Sequence, residues 1–323
     1  AQAKTKSGDE ADRLFGESYA KYAESVRIKP DKPEVFFNWG SALSDQAKTK
    51  SGDEADRLFG ESYAKYAESV RIKPDDHEAF NNWGIALFAQ AKTKSGDEAD
   101  RLFGESYAKY AESVRIKPDK PEVFNNWGNA LSAQAKTKSG DEADRLFGES
   151  YGKYAESVRI KPDKPEVFNN WGSALFTQAK TKSGDEADRL FGESYAKYAE
   201  SVHIKPDDHE VFNNWGSALS DQAQKKLGEE KERLLVDAEE KLFEAKRLKP
   251  GTGSYNLACL CALRGREPQC REHLEHCLET GVLPDFDHLL KDNDLDQVRD
   301  SEWYKEFVGR VAAQKTTSNS NEK

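Results

Sequence analysis

The sequence predicts an all-α chain, a solenoid of antiparallel helix pairs with a C-terminal capping segment. Three observations predict it. The stretch AKTKSGDEADRLFGESY begins at Ala3, Ala47, Ala91, Ala135 and Ala179, letter for letter the same. The offset is 44 residues each time, and a strict period in this range marks stacked supersecondary units that each touch only their neighbours. Within a unit, apolar residues recur at helical spacing between two fixed sets of turn residues.

The fourth unit shows the elements in order. Ser139-Gly140-Asp141-Glu142 has the spacing of a capping box, with the Ser side chain on a backbone N–H and Glu142 reaching back. Leu146, Phe147, Tyr151, Tyr154 and Val158 follow at helical spacing, and Pro162 ends this helix B. Asp163 as N-cap, Pro165 in the first turn and Glu166 open helix A. Phe168, Trp171, Leu175 and Ala179 mark its buried stripe, and Ser183-Gly184 closes it. Helix A is expected at about 18 residues and helix B at about 21, roughly 27 and 31 Å long. Gly128 in helix A and Gly148 in helix B each cost about 1 kcal/mol relative to Ala. Their recurrence predicts close helix approach at both.

A diverged copy, AQKKLGEEKERLLVDAEEKLFEAKRLKP, begins at Ala223, with Gly228, Arg233, Leu234 and Pro250 in register with Gly184, Arg189, Leu190 and Pro206. The array therefore covers 1–250. Residues 251–313 hold a shorter pair, Tyr255–Gly265 and Glu267–Thr280, then capping helices at Asp285–Leu290 and Ser301–Ala313, and 314–323 reads as a disordered tail. Ala1-Gln2-Ala3 matches the end of a helix A, so the first helix B (Asp9–Lys29) lacks a partner. Its Leu14, Phe15, Tyr19 and Tyr22 are expected partly bare, inviting end-to-end association.

The 323 residues carry a net charge of -10, and their mean hydropathy is -0.90. Six Trp, twelve Tyr and sixteen Phe are too many large side chains for a disordered polymer. No basic stripe exists to neutralise phosphates, which argues against a nucleic-acid partner. No apolar run approaches the roughly 20 residues that span a bilayer, so no membrane partner is expected. All four Cys lie from Cys259 onward, which is no disulfide framework. That suggests a reducing compartment, and a cytoplasmic protein is expected.

Phe124-Asn-Asn-Trp127-Gly128-Asn-Ala-Leu131 has the spacing W-x2-L-G-x2-Y, and Ser150-x3-Tyr154, Ser157 and Pro162 stand where A-x3-F, a small residue and P are expected. The chain resembles the tetratricopeptide repeat family over nearly its whole length. The family unit is about 34 residues; here both helices gain more than a turn. HEAT or armadillo repeats fit the period but not the letters. The resemblance implies a right-handed superhelix, no enzymatic activity and no cofactor.

Cys259, Cys261, Cys270, His273, His276 and Cys277 could bind a metal, with Cys270, His273 and Cys277 on one helical face. However, no paired CxxC spacing exists, and small buried residues belong at these places. They are read as core, with no metal. His77 and His209 replace Pro at the start of helix A. No catalytic constellation appears.

The copies match at 35 of 44 positions. Four of the nine variable positions share one face of helix A, at i, i+4, i+7 and i+8. They are Phe37, Ser41, Ser44 and Asp45; Asn81, Ile85, Phe88 and Ala89; Asn125, Asn129, Ser132 and Ala133; Asn169, Ser173, Phe176 and Thr177; Asn213, Ser217, Ser220 and Asp221. A Glu precedes each set: Glu34, Glu78, Glu122, Glu166 and Glu210. The resemblance makes this the concave, ligand-holding face. Candidate peptide-binding residues are Phe37, Glu78, Asn81, Ile85, Phe88, Glu122, Asn125, Asn129, Glu166, Asn169, Phe176 and Asn213. Some family members clamp a C-terminal carboxylate with Lys and Arg here; no Lys or Arg occupies these positions. The expected partner is a protein or peptide segment, apolar and basic. A self-associating structural solenoid and the sensor arm of a larger signalling protein are the alternatives.

Overall fold

The structure, a computed structural model, describes residues 8–321, with side chains to 314. Ala1-Gln2-Ala3 lies outside the described residues. The chain divides into two compact units, Ala1–Asp163 and Lys164–Lys323. Among the described residues all regular structure is helical, in consecutive packed pairs.

The first unit holds α1 (Gly8–Ile28), α2 (Pro33–Ala47), α3 (Gly52–Ile72), α4 (His77–Ala91), α5 (Gly96–Ile116), α6 (Pro121–Ala135) and α7 (Gly140–Ile160). Helix A (α2, α4, α6) is 15 residues long, shorter than expected, and helix B is 21. Each A pairs with the following B. Gly84 and Gly128 are the contact points: a Cβ on either would lie 2.7 Å from the ring of Tyr110 or Tyr154. Gly148 differs. Nothing lies within 4 Å of a Cβ placed there, so close approach does not explain it.

Both expected caps need correcting. Ser139 makes no side-chain cap hydrogen bond; instead Gly140 turns into the helix at φ +58°, a conformation that suits Gly because it has no Cβ. Where the sequence reads Lys-Pro, the N-cap is the Lys (Lys32, Lys120), uncapped, with Pro in the first turn. Where it reads Asp-His, Asp76 caps α4 by accepting from the Ala79 N–H. The His copies therefore exchange a pre-set φ for a side-chain cap.

A polar staple joins each helix B to the next helix A. The Tyr63 hydroxyl donates to Gln90 Oε1 (2.8 Å), Gln90 Nε2 donates to Asp56 Oδ1 (2.9 Å), and Lys94 Nζ donates to Asp56 Oδ2 (2.5 Å). Tyr19–Gln46–Asp12–Lys50 and Tyr107–Gln134–Asp100–Lys138 repeat it. The bonds from Lys and Gln hold Asp12, Asp56 and Asp100 below the usual carboxylate range. In α1, Phe15 is buried, contrary to the expectation of a bare face, while Leu14, Tyr19 and Tyr22 are half-buried.

The second unit contains α8 (Pro165–Lys180), α9 (Gly184–Ile204), α10 (His209–Gln224), α11 (Gly228–Leu248), α12 (Ser254–Leu263), α13 (Glu267–Thr280), α14 (Phe286–Lys291), a 3-10 turn (Asn293–Leu295), α15 (Asp296–Arg299) and α16 (Glu302–Asn321). Lys164 is the N-cap of α8, not Asp163. Trp171, expected in the buried stripe, is half-buried, with Lys197 Nζ 3.8 Å from its ring centroid. The same Lys–Trp contact recurs at Lys241–Trp215, and in the first unit at Lys109–Trp83. Cys259, Cys261 and Cys270 enter the terminal core with Leu274, Leu289, Leu295, Tyr304 and Phe307. Helix α16 runs through most of 314–323, read from sequence as a tail; 322–323 lie outside the described residues.

Candidate functional site

The variable face of helix A is built in each unit from parallel A helices. In the first unit, Asn81 Oδ1 accepts from Asn126 Nδ2 at 3.2 Å. In the second, Asn169 Oδ1 accepts from Asn214 Nδ2 (3.1 Å), and Asn213 Oδ1 from Asn256 Nδ2 (2.9 Å). The candidate residues Asn81, Asn169 and Asn213 are thus each tied through the side-chain oxygen to an Asn outside their own row on the next A helix. Asn125, on the same row, is half-buried.

The next position on the face meets a buried Tyr of helix B. Ser41 pairs with the Tyr66 hydroxyl (3.0 Å), Asn129 Oδ1 accepts from Tyr154 (2.8 Å), and Ser173 pairs with Tyr198 (3.2 Å). Burial pushes the Tyr66 and Tyr198 hydroxyls up to about 12. Ile85 cannot serve in this way, and the buried Tyr110 hydroxyl has no hydrogen-bond partner.

The aromatic residues are half-buried. Phe37 meets Tyr66 edge-on at 6.2 Å, Phe88 lies 6.2 Å from buried Phe103, and Phe176 lies 6.2 Å from buried Phe191. Each ring therefore shares its area between core and surface. Lys92 Nζ lies 5.0 Å from the Phe88 centroid, and Lys180 Nζ lies 5.3 Å from that of Phe176.

Two cavities open on this face. One, of about 330 Å³, is lined by Phe37, His77, Glu78, Asn81, Asn82, Lys120, Glu122 and Val123. It gathers four of the residues expected from sequence. The other, of about 700 Å³, lies wholly in the second unit. Phe176, Lys180, Ser217, Asp221 and Asn256 line it together with Tyr255, His288, Asp292 and Asp294. Lys180 Nζ pairs with Asp221 (2.7 Å), and the Tyr255 hydroxyl donates to Asp292 Oδ2 (2.7 Å). Burial, with Asp292 beside it, raises the Asp294 carboxyl. Ile85, Phe88, Asn125, Asn129, Glu166 and Asn169 line neither of these two cavities, and Asn213 lines a further one of about 370 Å³ with Tyr255 and Asn256. Exposed Glu166 has Lys164 Nζ at 3.5 Å.

Sequence reasoning missed Lys180, which lies outside the variable positions, and the flanking Lys120, at a variable position in the turn before helix A rather than on its face. It also missed His288, Asp292 and Asp294, which the capping segment folds back onto the face. Cys270, His273 and Cys277 do not bring their ligand atoms together. Among the described residues, the one group of three potential ligand atoms within 4.8 Å is Cys259, Asp292 and Asp294. Burial raises the thiols of Cys259, Cys270 and Cys277.

Paired helices, a Gly at each crossing and a variable A face define the class: an all-α helical-repeat solenoid. Two solved structures share this fold at TM-scores of 0.50. A type IV pilus biogenesis factor, PilW, is similar in structure at 14% identity, covering 72% of this chain and 92% of that one, with a TM-score of 0.50. The C-terminal part of a tetratricopeptide repeat-containing protein from Cytophaga hutchinsonii covers 88% and 97%, at 10% identity and a TM-score of 0.50. YrrB, a tetratricopeptide protein with an unusual peptide-binding site, covers 71% and 92% at 12% identity, with a TM-score of 0.43. In sequence, residues 65–167 match the family model of the plant-specific mitochondrial import receptor subunit TOM20. No curated protein matches the chain.

The chain has the fold of a tetratricopeptide-repeat array. The cytoplasmic placement expected above is corrected by the family match, which is to a mitochondrial import receptor subunit and points away from the cytoplasm. The expectation rested on charge and Cys usage. Those report on redox environment and solubility, not on the organelle a protein serves.

Proposed function

We propose that the chain binds an extended or helical segment of another protein on the variable face of its A helices, and that this segment is basic and apolar. The cavity that gathers Phe37, Glu78, Asn81 and Glu122 carries the reading. It offers an aromatic wall, amide groups and two exposed carboxylates within one site. A chain of net charge -10 attracts a cationic ligand at long range. Likeness to a mitochondrial import receptor gives the ligand a natural class, because mitochondrial targeting segments are amphipathic, Arg-rich and poor in acidic residues. Phe88 and Phe176 would add apolar contacts, and the Asn row would hold backbone.

The test is titration of the full chain with a basic amphipathic peptide and with its Arg→Glu counterpart. Only the basic peptide should bind, and more weakly in high salt. Glu78→Gln with Glu122→Gln, both on exposed side chains, should weaken it several-fold without changing the melting temperature. Equal binding of both peptides would sink the proposal. We also propose weak association between copies through the half-bare residues of α1, read out as concentration-dependent sedimentation.

A further inference from the structure

Cys259 on α12 is only 4% exposed and packs in the terminal core, where a thiol ordinarily serves as a small hydrophobe. It also lines the cavity of about 700 Å³ in the second unit, and there it meets carboxylates. Its Sγ donates to Asp292 Oδ2 at 3.7 Å. One ligand atom from each of Cys259, Asp292 and Asp294 lies within 4.8 Å of the other two. A fourth donor, His288 Nε2, stands 3.4 Å from Asp292 Oδ2 and lines the same cavity. The capping segment delivers three of the four: His288 lies on α14, Asp292 is its C-cap, and Asp294 sits in the 3-10 turn. Neighbours outside the set hold the acids in place. The Tyr255 hydroxyl donates to Asp292 Oδ2 (2.7 Å), and Gln224 Nε2 donates to Asp294 Oδ1 (3.0 Å). Such outer partners orient the carboxylates of a metal site.

The geometry points to a site for one divalent ion of the zinc type, held by Cys259, Asp292 and Asp294, with His288 as the fourth ligand. Around a tetrahedral zinc, sulfur lies about 2.3 Å and nitrogen or oxygen about 2.0–2.2 Å from the ion, which sets ligand atoms roughly 3.3–3.7 Å apart. The Cys259–Asp292 and His288–Asp292 edges, 3.7 and 3.4 Å, both fall there. The donor set decides the ion: sulfur and imidazole select zinc over magnesium or calcium, which take oxygen. Lys180, which also lines the cavity, is paired with Asp221 (2.7 Å). Burial and the adjacent Asp292 raise the Asp294 carboxyl, a crowding that a divalent charge relieves. As sulfur binds the ion, the Cys259 thiol proton leaves to solvent. The bound ion fastens the capping segment to α12, away from the cavity of Phe37, Glu78 and Glu122.

The probe is zinc itself, titrated into the full, reduced chain by calorimetry, with cobalt as its spectroscopic substitute. We expect one ion per chain and a raised melting temperature. Cobalt should show a sulfur-to-metal charge-transfer band together with the intense visible bands of tetrahedral geometry. Magnesium at the same concentration should not compete. Cys259→Ser should abolish the charge-transfer band and weaken zinc at least tenfold. Asp294→Asn lies on a half-buried turn outside the core and should weaken zinc by a similar factor, so the test stands even if Cys259→Ser unfolds. His288→Ala, at an exposed residue, should weaken it several-fold. Zinc bound without a sulfur band in its cobalt form would overturn the inference, as would an affinity indifferent to Asp294→Asn. A band that survives Cys259→Ser but is lost in Cys270→Ser would place the ion on Cys270, His273 and Cys277 and overturn it equally. The Glu78→Gln, Glu122→Gln chain should bind zinc as the parent does, so this proposal and the peptide proposal fail separately.

Discussion

Tyr110 shows how much a single position on helix A decides. The same ring is buried in four helices, and its hydroxyl is met by Ser41, Asn129 or Ser173 in three of them. Ile85 leaves the fourth unpaired. An unpaired buried hydroxyl carries a desolvation cost with no return, so deleting it costs nothing. We expect Tyr110→Phe to be neutral or stabilising, and Tyr66→Phe or Tyr154→Phe to cost about 1 kcal/mol each, measured by urea unfolding. A loss at Tyr110 equal to that at Tyr154 would show that the hydroxyl finds a partner in solution. The recurrent glycines separate in the same manner. Gly128→Ala drives a Cβ into the Tyr154 ring and should cost about 1–3 kcal/mol. Gly148→Ala meets open space on an exposed helix and should stabilise by about 1 kcal/mol. The sequence shows both glycines recurring. It does not show which one a neighbour touches, because identical copying gives a packed and an exposed Gly the same record.

At the scale of the element, periodicity was sufficient for helix B and for the partnership of each A with the next B. The apolar spacing and the Pro that ends each B are local signals. The caps were not legible, because Ser-Gly-Asp-Glu suits a capping box and a left-handed Gly start alike, and backbone geometry chooses between them. The candidate face was legible as a set of positions, since the copies differ along one helical stripe. Its anchoring was not: that Asn81 bonds Asn126 and that Phe88 leans on Phe103 depends on how neighbouring helices are set. Nor was the Tyr–Gln–Asp–Lys staple visible, as its members lie up to 38 residues apart. It has a consequence in acid. The Lys and Gln bonds hold Asp12, Asp56, Asp100 and, in the second unit, Asp188 below their usual values. A carboxylate depressed by folding contributes stability that is present above its unfolded value, about 3.9, and is lost as pH falls through the folded one. Melting temperature should therefore hold between pH 5 and 7 (roughly the range where such groups stay ionised) and fall progressively below about pH 4. Asp56→Asn with Asp100→Asn should lower it at neutral pH and flatten the acid decline. An unchanged acid slope in the double variant would assign the decline to other carboxylates.

For the whole molecule, near-identity of the units makes the chain a test of additive stability. The residues on either side of each joint are the same: Gln90 meets Ala91 as Gln134 meets Ala135. Excising 91–134 therefore recreates an existing joint while removing one helix B and one helix A. The lost unit takes with it its own pair contacts and one Tyr–Gln–Asp–Lys staple, and strains nothing that remains. If stability is a sum of unit and nearest-neighbour terms, the shortened chain should unfold at a lower denaturant midpoint and with a smaller slope, since less surface is exposed. Helicity per residue should stay the same. Insertion of one more copy at the same joint should move midpoint and slope the other way by a comparable step. The comparison is made by guanidinium unfolding followed by circular dichroism on the three lengths. A midpoint that ignores length would mean that a local core, such as the one Cys259, Cys261 and Cys270 build with Tyr304 and Phe307, sets stability alone. The repeats would then be passengers on it rather than its neighbours in a linear sum.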